Sequence, residues 1–210
     1  QSDVLGDGGS VQYDPTCQQL NIIKDVSIID AGAGSGITFD GSGYINPNFT
    51  LRLESSLDIS AQENGIKTTS ANLTIVSQNV RYDILAIESD REALAIDGDL
   101  NFQRTKVYAF ANHAAAVKLN FDTMTVDSSY VLMRPATGVP TCSGISELNM
   151  INAKFLTEGV SFSKTYMSIV DDETGTFATK QVTIKPFVTY PLTIGGIAVT
   201  SDNCEDVLGD

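Results

Sequence analysis

The chain has 210 residues, 42% of them hydrophobic and none of them Trp, enough to bury a core without help from a metal or a disulfide. Its 13 Lys plus Arg stand against 26 Asp plus Glu, a formal net charge of −13. Such a surface repels phosphate backbones and anionic lipid, which argues against nucleic-acid and membrane-surface partners, and no apolar run approaches the roughly 20 residues of a membrane-spanning helix.

Residues 1–16 are rich in Gly and Asp, with two short apolar marks at Val4, Leu5 and at Val11, Tyr13. They read as an N-terminal extension ahead of one domain over 17–204, with 205–210 as a tail. Residues 20–29 read as a mostly apolar strand. The glycines of 30–48 read as a loop. Residues 49–60 carry the plainest signal: Phe49, Leu51, Leu53, Leu57 and Ile59 alternate with polar residues, the period of a strand with one wet face.

Further strands are read at 66–77, at 80–87 (Val80, Tyr82, Ile84 and Ala86 on one face), at 100–111 and at 117–126. Residues 89–96 form the best short-helix candidate, with Ser89 or Asp90 as N-cap. Residues 145–156 are ambiguous, because Ile145, Leu148, Ile151 and Phe155 also fit a helical stripe. Strands at 160–170, 182–190 and 192–200 complete the pattern. Many short alternating segments with turns between them predict an all-β fold, an antiparallel β-sandwich or jelly roll of about nine to eleven strands with one or two short helices.

Motifs that carry chemistry are sparse. The glycines after Val26–Ile29 lack the following helix that a phosphate loop requires. Asp97, Asp99 and Asn101 have the acidic spacing that opens a calcium loop, but Phe102 and Tyr108 stand where Gly and Glu belong. They remain weak calcium candidates, as do Asp171, Asp172 and Glu173; no other cofactor is expected. His113 is the only histidine, with no acid or nucleophile pattern beside it. No enzyme is expected.

Cys17, Cys142 and Cys204 lie in turn-like contexts, which predicts one disulfide and one odd cysteine with the pairing left open. Asn48 and Asn72 head two N-glycosylation sequons, at a frequency chance would supply. Asp3-Val4-Leu5-Gly6-Asp7 recurs as Asp206-Val207-Leu208-Gly209-Asp210. This recurrence, the lack of a catalytic constellation and a first residue other than Met, read as a processed N-terminus, predict an extracellular or cell-surface structural subunit. It would polymerise with copies of itself into a filament, pilus or surface layer by β-strand addition through Val4, Leu5, Val11 and Tyr13. The alternative is a monomeric secreted binding module, an adhesin or carbohydrate-binding domain.

Overall fold

Apolar residues at alternate positions give short strands one buried face each, and the chain stacks these strands on top of one another in parallel. A computed structural model describes residues 2–3, 9–29, 34–78, 83–139 and 141–157, and beyond them the backbone of four short strands. Two strands come first, β1 (Ser2–Asp3) and β2 (Val11–Asp14). The chain then repeats a three-strand coil. The first coil contains β3 (Gln19–Ile22), β4 (Val26–Ile29) and β5 (Ile37–Asp40). The second contains β6 (Asn48–Leu53), β7 (Leu57–Ala61) and β8 (Ile66–Thr69). The third contains β9 (Asn72–Ser77), β10 (Ile84–Ser89) and β11 (Leu94–Ala95). Then come β12 (Leu100–Gln103), β13 (Lys106–Ala111), the long β14 (Val117–Asp127), β15 (Tyr130–Arg134), β16 (Cys142–Ile151) and β17 (Lys154–Thr157). β14 and β16 each close one coil and open the next. Two antiparallel pairs follow, β18 (Thr165–Asp171) with β19 (Lys180–Pro186) and β20 (Thr193–Ile194) with β21 (Ile197–Ala198).

The result is a β-solenoid with three faces. On the first, β3, β6, β9, β12, β14 and β16 pair in parallel. On the second, β4, β7, β10, β13, β15 and β17 do the same. On the third, β5, β8, β11 and the starts of β14 and β16 pair likewise. Inward residues stack coil on coil. Leu20, Leu51, Ile75, Phe102, Val126 and Met150 form one row. Val26, Leu57, Leu85, Val107, Val131 and Phe155 form a second. Ile37, Ile66, Leu94, Val117 and Cys142 form a third. The apolar residues of these rows enclose one continuous core, and each fully buried Leu or Ile contributes about 1.5–3 kcal/mol relative to exposure.

The antiparallel sandwich or jelly roll is therefore corrected. Alternation with one wet face usually marks antiparallel sheets, because parallel sheets are commonly covered on both faces. Here the sheet winds round on itself, so parallel strands keep a wet outer face. The strand count is corrected with it. The plainest alternating segment, 49–60, is two strands joined by a corner that preserves the inward phase, whereas in 66–77 and 100–111 the inward positions change from even to odd between the two strands. Leu53 ends β6 and Leu57 begins β7, both buried, with residues 54–56 turning between them. Arg104 (φ 52°), Ser128 (φ 49°) and Asn152 (φ 48°) occupy the equivalent corner in later coils, each in the left-handed region, and successive coils bond there through Arg104 N–H to Asp127 O and Ser128 N–H to Ile151 O.

The helix read at 89–96 is the end of β10, a turn and β11, and the ambiguous 145–156 lies in β16 and β17; no helix occurs among the described residues. Ile84 and Ala86 share a face as read, but it is the outer one; Leu85 and Ile87 are buried. Val80 and Tyr82 lie outside the described residues. Phe121 breaks its predicted row with Val117 and Leu119: at φ 67° it turns outward and is 57% exposed.

The repeat is present in the sequence as a small residue ahead of an aliphatic one, at Gly36-Ile37, Gly65-Ile66, Ala93-Leu94 and Ala116-Val117. Space explains it. A Cβ on Gly65 would collide with the Ile87 side chain and lie 2.6 Å from the Ala93 carbonyl oxygen.

Candidate functional site

The open edge of the first coil is covered by the chain itself. β2 pairs antiparallel with β3, and β1 with β2. Val11 is buried. Tyr13 packs against the core, and its ring hydroxyl meets that of Tyr44; burial, then this hydrogen bond, raises the Tyr13 pKa. Tyr44 lies 5.7 Å from Phe39, which stacks on Phe49 at 4.7 Å. Two of the four assembly candidates, Val11 and Tyr13, therefore build an intrachain cap. The other two, Val4 and Leu5, lie outside the described residues, as does the recurrence at 206–210.

The calcium candidates sit where the third face turns into the first. Asp97 Oδ2 accepts from Ser70 N–H (2.8 Å) in the preceding coil, and Oδ1 accepts from Asn120 Nδ2 (3.3 Å) in the following one. Asp99 Oδ1 accepts from Thr123 N–H (3.0 Å), and Asp99 N–H donates to Asn72 Oδ1 (2.9 Å). These carboxylates pin neighbouring coils. Asn101 lies on β12, in an outer row with Thr74 and Thr125. The structure adds Asp122, which the spacing did not suggest. Partial burial, then the negative charges of Asp99 and Asp97, raise its pKa. Among the described residues no group of three His, Cys, Asp or Glu is arranged to hold a metal ion. Asp171, Asp172 and Glu173 carry no described side chain.

Asn48 and Asn72 face each other across β6 and β9, and so do Thr50 and Thr74. The two sequon patterns are thus the same coil position met twice. His113 is exposed, with Nδ1 3.9 Å from Asp90 Oδ1. Cys17 and Cys142 are free thiols, so no disulfide joins these two. Cys142 belongs to an inward row and packs against the core, and burial pushes its thiol up to about 12. Cys204 lies outside the described residues.

The outer side of the second face changes character along the solenoid. Its early coils present Ser27, Asp58, Ser60 and Glu88. Its later coils present Tyr108, Leu132 and Leu156 in one row, Phe110 and Arg134 in another, and Lys106, Tyr130 and Lys154 in a third. The Tyr108 and Tyr130 rings meet edge to face at 6.2 Å. The Arg134 guanidinium lies 4.2 Å from the centre of the Phe110 ring. Sequence reading missed this platform, because its residues are scattered over 106–156 and only coil stacking gathers them.

Comparison with protein-family models, with curated proteins and with solved structures finds no match.

Proposed function

We propose that this protein is an extracellular binding module, acting as a monomer, that holds an extended ligand against the outer side of the second face. One observation carries the reading: parallel stacking lines up aromatic, apolar and cationic side chains of β13, β15 and β17 into straight rows. Rows of this kind recur at the strand spacing of about 4.8 Å, a regular ruler suited to a partner that is itself extended. The acidic surface elsewhere favours life as a separate, self-repelling molecule.

The filament expected from the sequence has a specific obstacle in this fold. Donating residues 11–14 to a neighbour requires β2 to leave β3 and expose Val11 and the edge of the first coil. The monomeric module needs no such exchange. Sedimentation velocity together with a glycan array tests the choice: a species near 22 kDa that binds extended glycans supports the module. A large polymer that binds none of them rejects it and restores assembly as the leading reading.

A further inference from the structure

Three features of the molecule invite a ligand: the Asp97–Asp99–Asp122 corner, the polar rows of the first face, and the aromatic platform of the second. The corner carboxylates of Asp97 and Asp99 are bonded to neighbouring coils. The first face mixes Thr and Asn with Asp127 and Glu147 and selects no one chemistry. The platform does.

We infer that the later coils of the second face bind a linear anionic polysaccharide, with Tyr108, Phe110 and Tyr130 as the contact surface and Lys106, Arg134 and Lys154 as the groups that read its charge. The inference rests on the binding-module reading and adds the ligand class. Charge is the first argument. In a chain of net charge −13, three cations lie on the later coils of one face, two of them in one row, and none of them pairs with a carboxylate of a described residue.

Geometry is the second. Lys106 and Lys154 flank Tyr130 in one row, so their strands lie two spacings apart, about 9.6 Å. A polymer crossing the strands would meet a cation, an aromatic ring and a second cation in turn. Arg134 supplies a third cation two rows further along β15, beyond the row of Tyr108 and Leu132 and about 13 Å from Tyr130, oriented by the Phe110 ring beneath it. Chemistry is the third. A tyrosine offers an apolar body and a polar tip, which suits a sugar ring with its apolar face and hydroxyl rim. Ammonium and guanidinium groups suit carboxylate or sulfate substituents. The carboxylates of Asp58 and Glu88 on the earlier coils would repel such a polymer and confine it to the later ones.

Affinity electrophoresis of the full chain through native gels tests this, with alginate, dextran sulfate or plain dextran in the gel and polyglutamate as a charged polymer without sugar. The expected result is retardation by alginate or dextran sulfate that weakens with salt, and much less by dextran or polyglutamate. Alginate and dextran sulfate separate carboxylate from sulfate recognition. Lys106→Gln with Lys154→Gln should weaken retardation about tenfold or more. Tyr130→Ala should weaken it without changing the salt slope. Thr74→Ala, on the first face, should leave it unchanged. Circular dichroism confirms that each variant folds; the Lys variants are surface changes and keep the test decisive if Tyr130→Ala does not fold. Equal retardation by polyglutamate, no retardation by either anionic polysaccharide, or indifference to the Lys substitutions would overturn the inference. Retardation by plain dextran alone would overturn it while leaving the binding module standing.

Discussion

Gly144 sits at φ 68°, and a Cβ there would run into the Leu119 carbonyl oxygen. Both penalties act on any other residue, so Gly144→Ala should destabilise the protein by about 1–3 kcal/mol. A Cβ on Gly43 would meet no atom within 4 Å, and its backbone is not left-handed, so Gly43→Ala should change stability little; thermal unfolding of the two variants gives the comparison. The cysteines offer a second single-residue test. Cys17 is exposed, whereas Cys142 is a partly buried inward residue packed against the core, whose thiol burial pushes up to about 12. Only the thiolate reacts quickly. Alkylation at mildly alkaline pH followed by mass spectrometry should modify Cys17 in the native protein and Cys142 only after unfolding. The sequence around Cys142 looks like a loop, Pro-Thr-Cys-Ser-Gly, and nothing local reveals that its side chain continues the row of Ile37, Ile66, Leu94 and Val117.

Corners, more than strands, distinguish one coil from the next, and their carboxylates pull stability in opposite directions with pH. Asp25 Oδ1 accepts from Ser55 Oγ (2.5 Å) and Ser56 N–H (3.1 Å) across the first two coils, and these bonds lower its pKa. Its stabilisation is present above the unfolded pKa and is lost as pH falls through the lower folded value. Asp122 behaves in the reverse sense. Burial and the charges of Asp99 and Asp97 raise its pKa, so the fold favours its protonated form and loses stability as pH rises from the unfolded to the folded value. Asp25→Asn should therefore destabilise at neutral pH and have little effect once the native carboxylate is protonated. Asp122→Asn should stabilise at neutral pH and remove that part of the pH dependence. Urea unfolding across an acid pH series reads both signs. Sequence analysis singled out Asp97 and Asp99 for their spacing and passed over Asp122, because the three carboxylates become neighbours only when one coil lies on another.

A solenoid has two ends, and its edge strands are natural sites for unwanted pairing. At the N-terminal end β2 and β1 cover β3, with Tyr13 anchored at Tyr44. At the other end β19 runs beside β16. Deleting residues 1–14 should uncover the edge of β3 and the buried residues beneath β2, giving a less stable protein that self-associates. The donated-strand reading instead predicts a folded monomer from the same deletion. Sedimentation velocity and thermal unfolding of the truncated chain separate these outcomes.

The alternation of apolar and polar residues by itself determined an all-β fold with one wet face per strand, and most of the buried side chains follow from it: Phe49, Leu51, Leu53, Leu57 and Ile59 are all inside. Alternation is blind to strand direction and to turns that preserve its phase. Only the tertiary structure decided that the strands run parallel, that one long segment is two strands with a corner, and that β2 belongs to the protein's own sheet. The platform of Tyr108, Tyr130, Lys106 and Lys154 lay beyond sequence reading for the same physical reason. Its neighbours are set by the pairing register between coils, which unequal coil lengths conceal from a local pattern.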